Sequence, residues 1–370
     1  MHIVFDARTN TPHFPGIGRY VRGLLGTLPS MLAPDERLTI LENADGGLPL
    51  DLAVTVGRVR LRGGPVSILA QQLGRRDLAR LQPDVVHTPY FLSRPPCRGR
   101  AVLTLHDVIP LTHPAQSNWR ARMLTRLRLP RALRQAARVI AVSQAALDTA
   151  HDVLPLLAWP PVCVIHHGVE PRFCPPPPPD VAELRRRLAL PASFTLCCGS
   201  DRPHKNLQTL LVAQARAGPG ALPLVVAGMQ SADGPTRRRV RRLGLDSTRV
   251  RWLGTVSETD LPVLYGAATA LLFPSRAEGF GLPVLEALAC GTRVVASDIA
   301  ALRETGGTLV RYVSPDDIAD WQAAILALAD PAPPRDERAW KRHLASFTWT
   351  RTAEATLEVY RAANEPLSGS

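Results

Sequence analysis

Short, continuous runs of Val, Ile and Leu punctuate the chain, and they constrain its fold more than any other feature. The first half contains HIVFDA, DVVHTP, AVLTLHD, RVIAVS and PVCVIHHG. The second contains FTLCCGS, PLVVAGM, RVRWLG, ALLFPS, RVVASD and TLVRYV. Continuous rather than alternating apolar runs are what parallel strands buried on both faces require. Amphipathic segments separate them, among them 18–31, 67–81, 206–217 and 260–268. Such alternation predicts βαβ units and doubly wound α/β sheets, which bind ligands at the carboxyl ends of their strands.

A length of 370 residues suits two domains. The proline-rich stretch EPRFCPPPPPD, 170–180, reads as a stiff extended linker between them, because a proline run fits neither helix nor central strand. This divides the chain into 1–169, the linker, and 181–348. The cleft between two such domains is the default site. The tail, 349–370, opens with a helical pattern and is a candidate to pack back on the first domain.

The formal net charge of +12 admits an anionic partner, whether nucleic acid, anionic membrane or phosphorylated substrate. The six cysteines form no C-x-x-C pair, which fits reduced thiols better than a disulfide framework or a zinc site. MHIVFDAR lacks the pattern of a signal peptide, and no run of about 18 apolar residues occurs. A cytoplasmic protein is expected, with room for peripheral contact at the inner face of a membrane.

The chemistry concentrates in PSRAEGFGLPVLEALACGTRVVAS, 274–297. ALLFPS is a strand and RAEGFG the loop at its carboxyl end. Pro283 suits the first turn of a following helix and Gly291 the position just past its end. Glu278 then lies on the ligand-facing loop and Glu286 in the helix. Carboxylates accept paired hydroxyl hydrogen bonds, and glycines at 279 and 281 let backbone approach a ligand. A capped helix with an acidic start would explain the glutamates alone. Gly-Phe-Gly-Leu-Pro between them favours a site. SDRPHKN, 200–206, places Lys205 near another helix start, where charge and dipole both suit a diphosphate. PGIGR, 15–19, fits either a tight turn or a close ligand approach. It is no dinucleotide fingerprint, since Val21 stands where a third glycine is needed. His166 and His167 are adjacent and would face opposite ways on a strand, which argues against a shared metal.

EGFGLPVLEALACGTRVVAS resembles the E-x7-E signature of retaining glycosyltransferases of family 4, which have the GT-B fold: two Rossmann-like domains facing across a cleft. TPHFPGIGRY, LTLHDVIPLTHP, VIHHGVEPRF, CCGSDRPHKNL, VSETDLPVLYGAA and FTWTRTAEATLEVY resemble further family segments in order, so the likeness spans nearly the whole chain. It implies transfer of a sugar from a nucleotide diphosphate-sugar to an acceptor hydroxyl, sugar or lipid-linked, with retention and without a metal or cofactor. By this resemblance Glu286 holds ribose. Glu278, with the N–H groups of Phe280 and Gly281, holds the sugar. Lys205 and Arg202 meet the diphosphate. His106 orients the transferred sugar, with Asp107 either its partner or a loop cap. Gly16, Gly18, Ser200, Val256, Gly279 and Leu282 complete the donor contacts. Ser200 stands where the family commonly has Arg, and His167 where it commonly has Asn. The GIGRY and HDVIPLTHP pattern is similar to mannosyltransferases of surface polysaccharide assembly, making GDP-mannose the first guess at the donor.

Two other readings stay open: a sugar-nucleotide epimerase of the same fold, and a basic nucleic-acid binder. RRRVRR, 237–242, suits the latter, but no aromatic or groove-reading motif accompanies it. The stretch 118–140 carries Arg120, Arg122, Arg126, Arg128, Arg131, Arg134 and Arg138, interleaved with Leu124, Leu127 and Leu133 behind Trp119. It fits either a solvated surface helix bent or split at Pro130, or a basic amphipathic helix that meets anionic lipid.

Overall fold

The computed structural model describes residues 1–44, 56–61, 80–92, 100–113, 117–228, 235–331 and 334–365. The chain forms two units, Met1–Gly168 with the segment from Phe347 onward, and Val169–Ser346. Most of the amphipathic segment expected at 67–81 lies outside the described residues.

The first unit is built on a seven-stranded sheet of order β3-β2-β1-β4-β5-β6-β7. Its strands are β1 His2–Asp6, β2 Arg37–Asn43, β3 Gly57–Leu61, β4 Val85–Thr88, β5 Arg100–Leu105, β6 Arg138–Ala141 and β7 Val162–Val164. All neighbours pair in parallel. Strand order reverses at the β1/β4 junction, so ligand-facing loops converge at the carboxyl ends of these strands. The apolar runs fall on β1, β4, β5, β6 and β7. Strands β2 and β3 were not among them. RLTILEN interrupts its apolar residues with Thr39 and Glu42, and GRVRL is an edge strand whose Arg58 and Arg60 are exposed.

The C-terminal helix Trp349–Asn364 completes this unit. Trp349, Leu357 and Tyr360 join Ile3, Phe5, Leu24 and Leu25 in one core. Gly23 and Gly168 make the approach possible. A Cβ at Gly23 would lie 2.0 Å from the Trp349 ring, and one at Gly168 would lie 2.2 Å from the Trp349 backbone nitrogen. Arg138 donates to the Ala362 carbonyl at 3.2 Å, so this arginine of the basic stretch holds the fold together.

The second unit has a six-stranded parallel sheet of order β10-β9-β8-β11-β12-β13. The strands are β8 Thr195–Cys198, β9 Leu224–Ala227, β10 Val250–Gly254, β11 Ala270–Phe273, β12 Arg293–Ser297 and β13 Val310–Val313. Here the order reverses between β8 and β11.

Three local expectations need correction. PGIGR is not a loop: a helix spans Pro15–Thr27, with Pro15 at its first turn, so Gly16 and Gly18 are helical. The proline run is not all linker, because Pro178 opens the helix Pro178–Arg187; prolines fit a first turn whose N–H groups need no partner. Pro130 does not split the basic segment, since one helix runs Trp119–Gln135.

Candidate active site

The loops after β8 and β11 carry the second unit's candidate residues. Following β8, Gly199 and Ser200 lead through Arg202 into a short turn, Pro203–Lys205. Asn206 then takes a left-handed conformation with φ of 55° and turns the chain into the helix Leu207–Ala217. Its side chain fastens the turn twice, donating to the Pro315 carbonyl at 2.7 Å and accepting from the Thr209 hydroxyl at 2.7 Å. Asp201 accepts from the Thr236 hydroxyl at 2.6 Å, and the His204 carbonyl accepts from the Arg276 backbone at 2.7 Å. These bonds hold the turn in place from both sides. A small pocket at the strand ends is lined by Gly199, Ser200, Lys205, Phe273 and Ser275, among others. Arg202 is exposed.

Lys205, which lines this pocket, meets Glu278. Nζ lies 2.6 Å from Oε1, and the two side chains are 23% and 11% exposed. The same ammonium lies 5.4 Å from the centre of the Phe273 ring. The resemblance assigned these residues separate tasks; here they pair with each other.

After Glu278 the chain turns at Gly281, whose φ of 104° suits glycine and which precedes the helix Leu282–Ala289. The Thr305 hydroxyl donates to the Phe280 carbonyl at 2.5 Å, fixing the loop. Glu286 lies in that helix and is only 2% exposed. Its Oε2 accepts from the Tyr265 hydroxyl at 3.1 Å. Burial and the Glu286 charge both push the Cys290 thiol pKa upward. Val256 lies in the loop after β10 and Leu282 at the helix start, so both belong to this end of the sheet.

In the first unit His106 directly follows β5. The Pro89 carbonyl accepts a hydrogen bond from its ring, while the buried Nε2 has no hydrogen-bond partner. Nδ1 thus carries the proton and Nε2 offers a lone pair. Burial pushes its pKa down to about 4, so the ring is neutral at ordinary pH. Asp107 is a loop cap, accepting from the Ile109 backbone at 3.0 Å. The Tyr20 ring meets His106 edge-on at 5.1 Å and His167 at 5.0 Å, and His167 stacks on Trp349 at 6.0 Å. Beneath them runs a buried hydrogen-bonded line. His87 joins Tyr360 through Nδ1 and Thr104 through Nε2 at 2.7 Å, and Thr104 meets the Tyr20 hydroxyl at 3.1 Å. Gly18 is buried near Asn10, whereas a Cβ on Gly16 would meet nothing within 4 Å.

Sequence reading missed this network and the pair Asp6–Arg8 at the end of β1. The residues are 0% and 1% exposed, with Arg8 Nη2 2.7 Å from Asp6 Oδ2. An Asp-x-Arg directly after an apolar run was the available signal.

Desolvation of His2, His87, His106 and His167, which lowers the pKa of each, should make the first unit acid-sensitive. Burial lowers His87 to about 3 and His106 to about 4, and it pushes His167 well below 6.5. In the unfolded chain each would titrate near 6.5, so below that pH the unfolded state binds more protons. Stability is therefore lost as pH falls from about 6.5 toward 4. Denaturant midpoints measured across this window should decline with acidification; a flat profile would contradict the burial.

The comparisons agree with this architecture. Residues 16–173 match the model described as Glycosyltransferase Family 4, and residues 193–330 match that of Glycosyl transferases group 1. O-antigen chain mannosyltransferase B of Escherichia coli is 28% identical over 291 residues, covering 75% of this chain and 74% of that protein. D-inositol 3-phosphate glycosyltransferase of Mycobacterium bovis is 35% identical over 231 residues, covering 58% of this chain and 47% of that longer protein. Among solved structures, sucrose-phosphate synthase from Thermosynechococcus elongatus has a TM-score of 0.71 at 22% identity, covering 98% of both chains. Anabaena HepE in complex with UDP-glucose has a TM-score of 0.74 at 20% identity, covering 98% of this chain and all of that one. Two parallel α/β sheets, the two family domains in order and the shared architecture lead to one assignment: the chain belongs to the family 4 glycosyltransferases with the GT-B fold.

Proposed function

We propose that the protein transfers a sugar from a nucleotide diphosphate-sugar to an acceptor hydroxyl with retention of configuration, without a metal, in surface polysaccharide or glycolipid assembly. The observation that carries this reading is the Lys205–Glu278 pair, 2.6 Å apart at the strand ends beside the Gly281 turn. A diphosphate arriving at the 199–206 turn competes for the Lys205 ammonium. Glu278 is then released to accept hydrogen bonds from sugar hydroxyls. Lys205 stabilises the negative charge that grows on the leaving diphosphate. Glu286, oriented by Tyr265, receives the ribose hydroxyls. His106 accepts a sugar hydroxyl at Nε2. The E. coli relative, a mannosyltransferase, supports mannose as the sugar, and we take GDP-mannose as the first donor to test. The complex of HepE with UDP-glucose supports the donor class. The acceptor is lipid-linked or membrane-borne, reached from the cytoplasmic face, where the arginines of the helix Trp119–Gln135 suit an anionic surface.

Thermal shifts with UDP, GDP, ADP and their sugars test the donor. At about 100 times its dissociation constant the cognate ligand stabilises by about 2.7 kcal/mol. Absence of a shift with every nucleotide would overturn the reading. An epimerase would convert the donor without any acceptor, and product analysis separates the two.

The two glutamates should behave differently. Glu286→Gln weakens free nucleoside diphosphate and intact donor alike. Glu278→Gln does not weaken nucleoside diphosphate affinity, since Lys205 loses only a competing carboxylate, and it damages transfer. Each loss is roughly 1.5–3 kcal/mol, the worth of a hydrogen bond to a charged group. Calorimetry and turnover assays on both variants check this. The opposite pattern would mean that the donor lies the other way round.

A further inference from the structure

The helix Trp119–Gln135 packs one face inward through Thr125, Leu129, Ala132 and Leu133. Its other face is unusual. Trp119, Met123 and Leu127 are 63%, 52% and 63% exposed, although large apolar side chains normally seek burial. They are spaced four residues apart, so at 3.6 residues per turn they form one row along the helix. Geometry places Arg122 and Arg126 on one side of this row and Arg120 and Arg128 on the other, with Arg131 continuing the row; Arg128 is half-buried and the other four are exposed. The sequence holds no Asp or Glu from Val108 through Leu147. The sequence pattern alone suggested Leu124 and Leu133 as the apolar partners of the arginines. Leu133 is instead core and Leu124 half-buried, and Met123 takes their place.

An apolar row between two lines of arginine matches the boundary of an anionic bilayer. Guanidinium groups can stay among the headgroups while the row enters the acyl edge. A soluble acidic protein would satisfy the arginines but leave no reason for a continuous row ending in Trp. We infer that this helix inserts Trp119, Met123 and Leu127 into an anionic lipid surface, rather than only resting on it by charge. The inference rests on the membrane contact proposed above and adds insertion to it.

Vesicles of phosphatidylcholine with phosphatidylglycerol, with and without brominated acyl chains, provide the test. Brominated lipid should quench fluorescence of the wild type, and Trp119→Phe should remove most of that quenching. Raising salt from roughly 0.1 M to 1 M shortens screening to about 3 Å, yet part of the binding should survive. Met123→Ser with Leu127→Ser should reduce that salt-resistant part on the order of tenfold, because the buried apolar area is lost. Arg122→Gln with Arg126→Gln should instead reduce the low-salt binding. Binding that vanishes entirely with salt, with no quenching, overturns insertion but leaves charge-driven contact standing. No binding to anionic vesicles at any salt overturns both. Circular dichroism of each variant should match wild type, because all substituted side chains are exposed.

Discussion

Lys205→Ala lowers turnover on the order of 10²–10³-fold, while affinity for the donor changes much less. On the function proposed above, Lys205 meets the donor diphosphate. Lys205 already has a carboxylate at 2.6 Å, so on that proposal a donor diphosphate would gain its ammonium by displacing Glu278. That exchange swaps one anionic partner for another and contributes little net ground-state binding. As the glycosidic bond breaks, charge on the diphosphate grows and the ammonium interacts more strongly with it. An interaction stronger in the transition state than in the ground state appears in turnover rather than in KM. The turn holding Lys205 is fixed by Asn206, Asp201 and Arg276, so the ammonium needs little reorganisation. Steady-state kinetics on Lys205→Ala decide the matter. A raised KM with unchanged turnover would show that Lys205 serves ground-state binding alone.

Much of this architecture is legible in the sequence, and the reason is physical. Strands buried on both faces are mostly apolar, so β1, β4, β8, β9, β11 and β12 stand out as runs, whereas buried β2 is interrupted by Thr39 and Glu42. Edge strands carry no such requirement, and β3, with Arg58 and Arg60 in water, leaves no run to read. Pro283 marked a helix start, and the helix Leu282–Ala289 confirms that reading. The same logic, applied to Pro15, would have placed Gly16 and Gly18 in a helix; the G-x-G pattern drew attention to a turn instead. Direct pairing was the harder part. Lys205 and Glu278 lie 73 residues apart in sequence, and only the junction of β8 with β11 brings their loops together. Likewise His87 and Tyr360 are 273 residues apart, and their bond exists only because the last helix returns to the first unit. Contacts of that range follow from topology, which motif order alone does not supply.

The pair Asp6–Arg8 leads to the largest expected effect on stability. Both side chains are essentially removed from water, and Arg8 donates to Asp6 through Nε at 2.8 Å and Nη2 at 2.7 Å. The pair forms where β1 ends, and the Arg8 carbonyl also accepts from Asn43 at 2.8 Å, tying β1 to its neighbour β2. Asp6→Ala removes the counter-charge of a guanidinium that is already desolvated, which costs about 3–5 kcal/mol. Replacing both residues has a different sign. Asp6→Leu with Arg8→Met takes two charges out of the interior and fills their space with apolar atoms, so it should recover most of the loss. Urea unfolding of the single and double variants measures this directly. The single variant should shift the midpoint strongly at nearly unchanged slope. A double variant no more stable than Asp6→Ala would mean that the ion pair cannot be replaced by packing. Equal stability of Asp6→Ala and wild type would mean that the Arg8 guanidinium draws no net stability from Asp6.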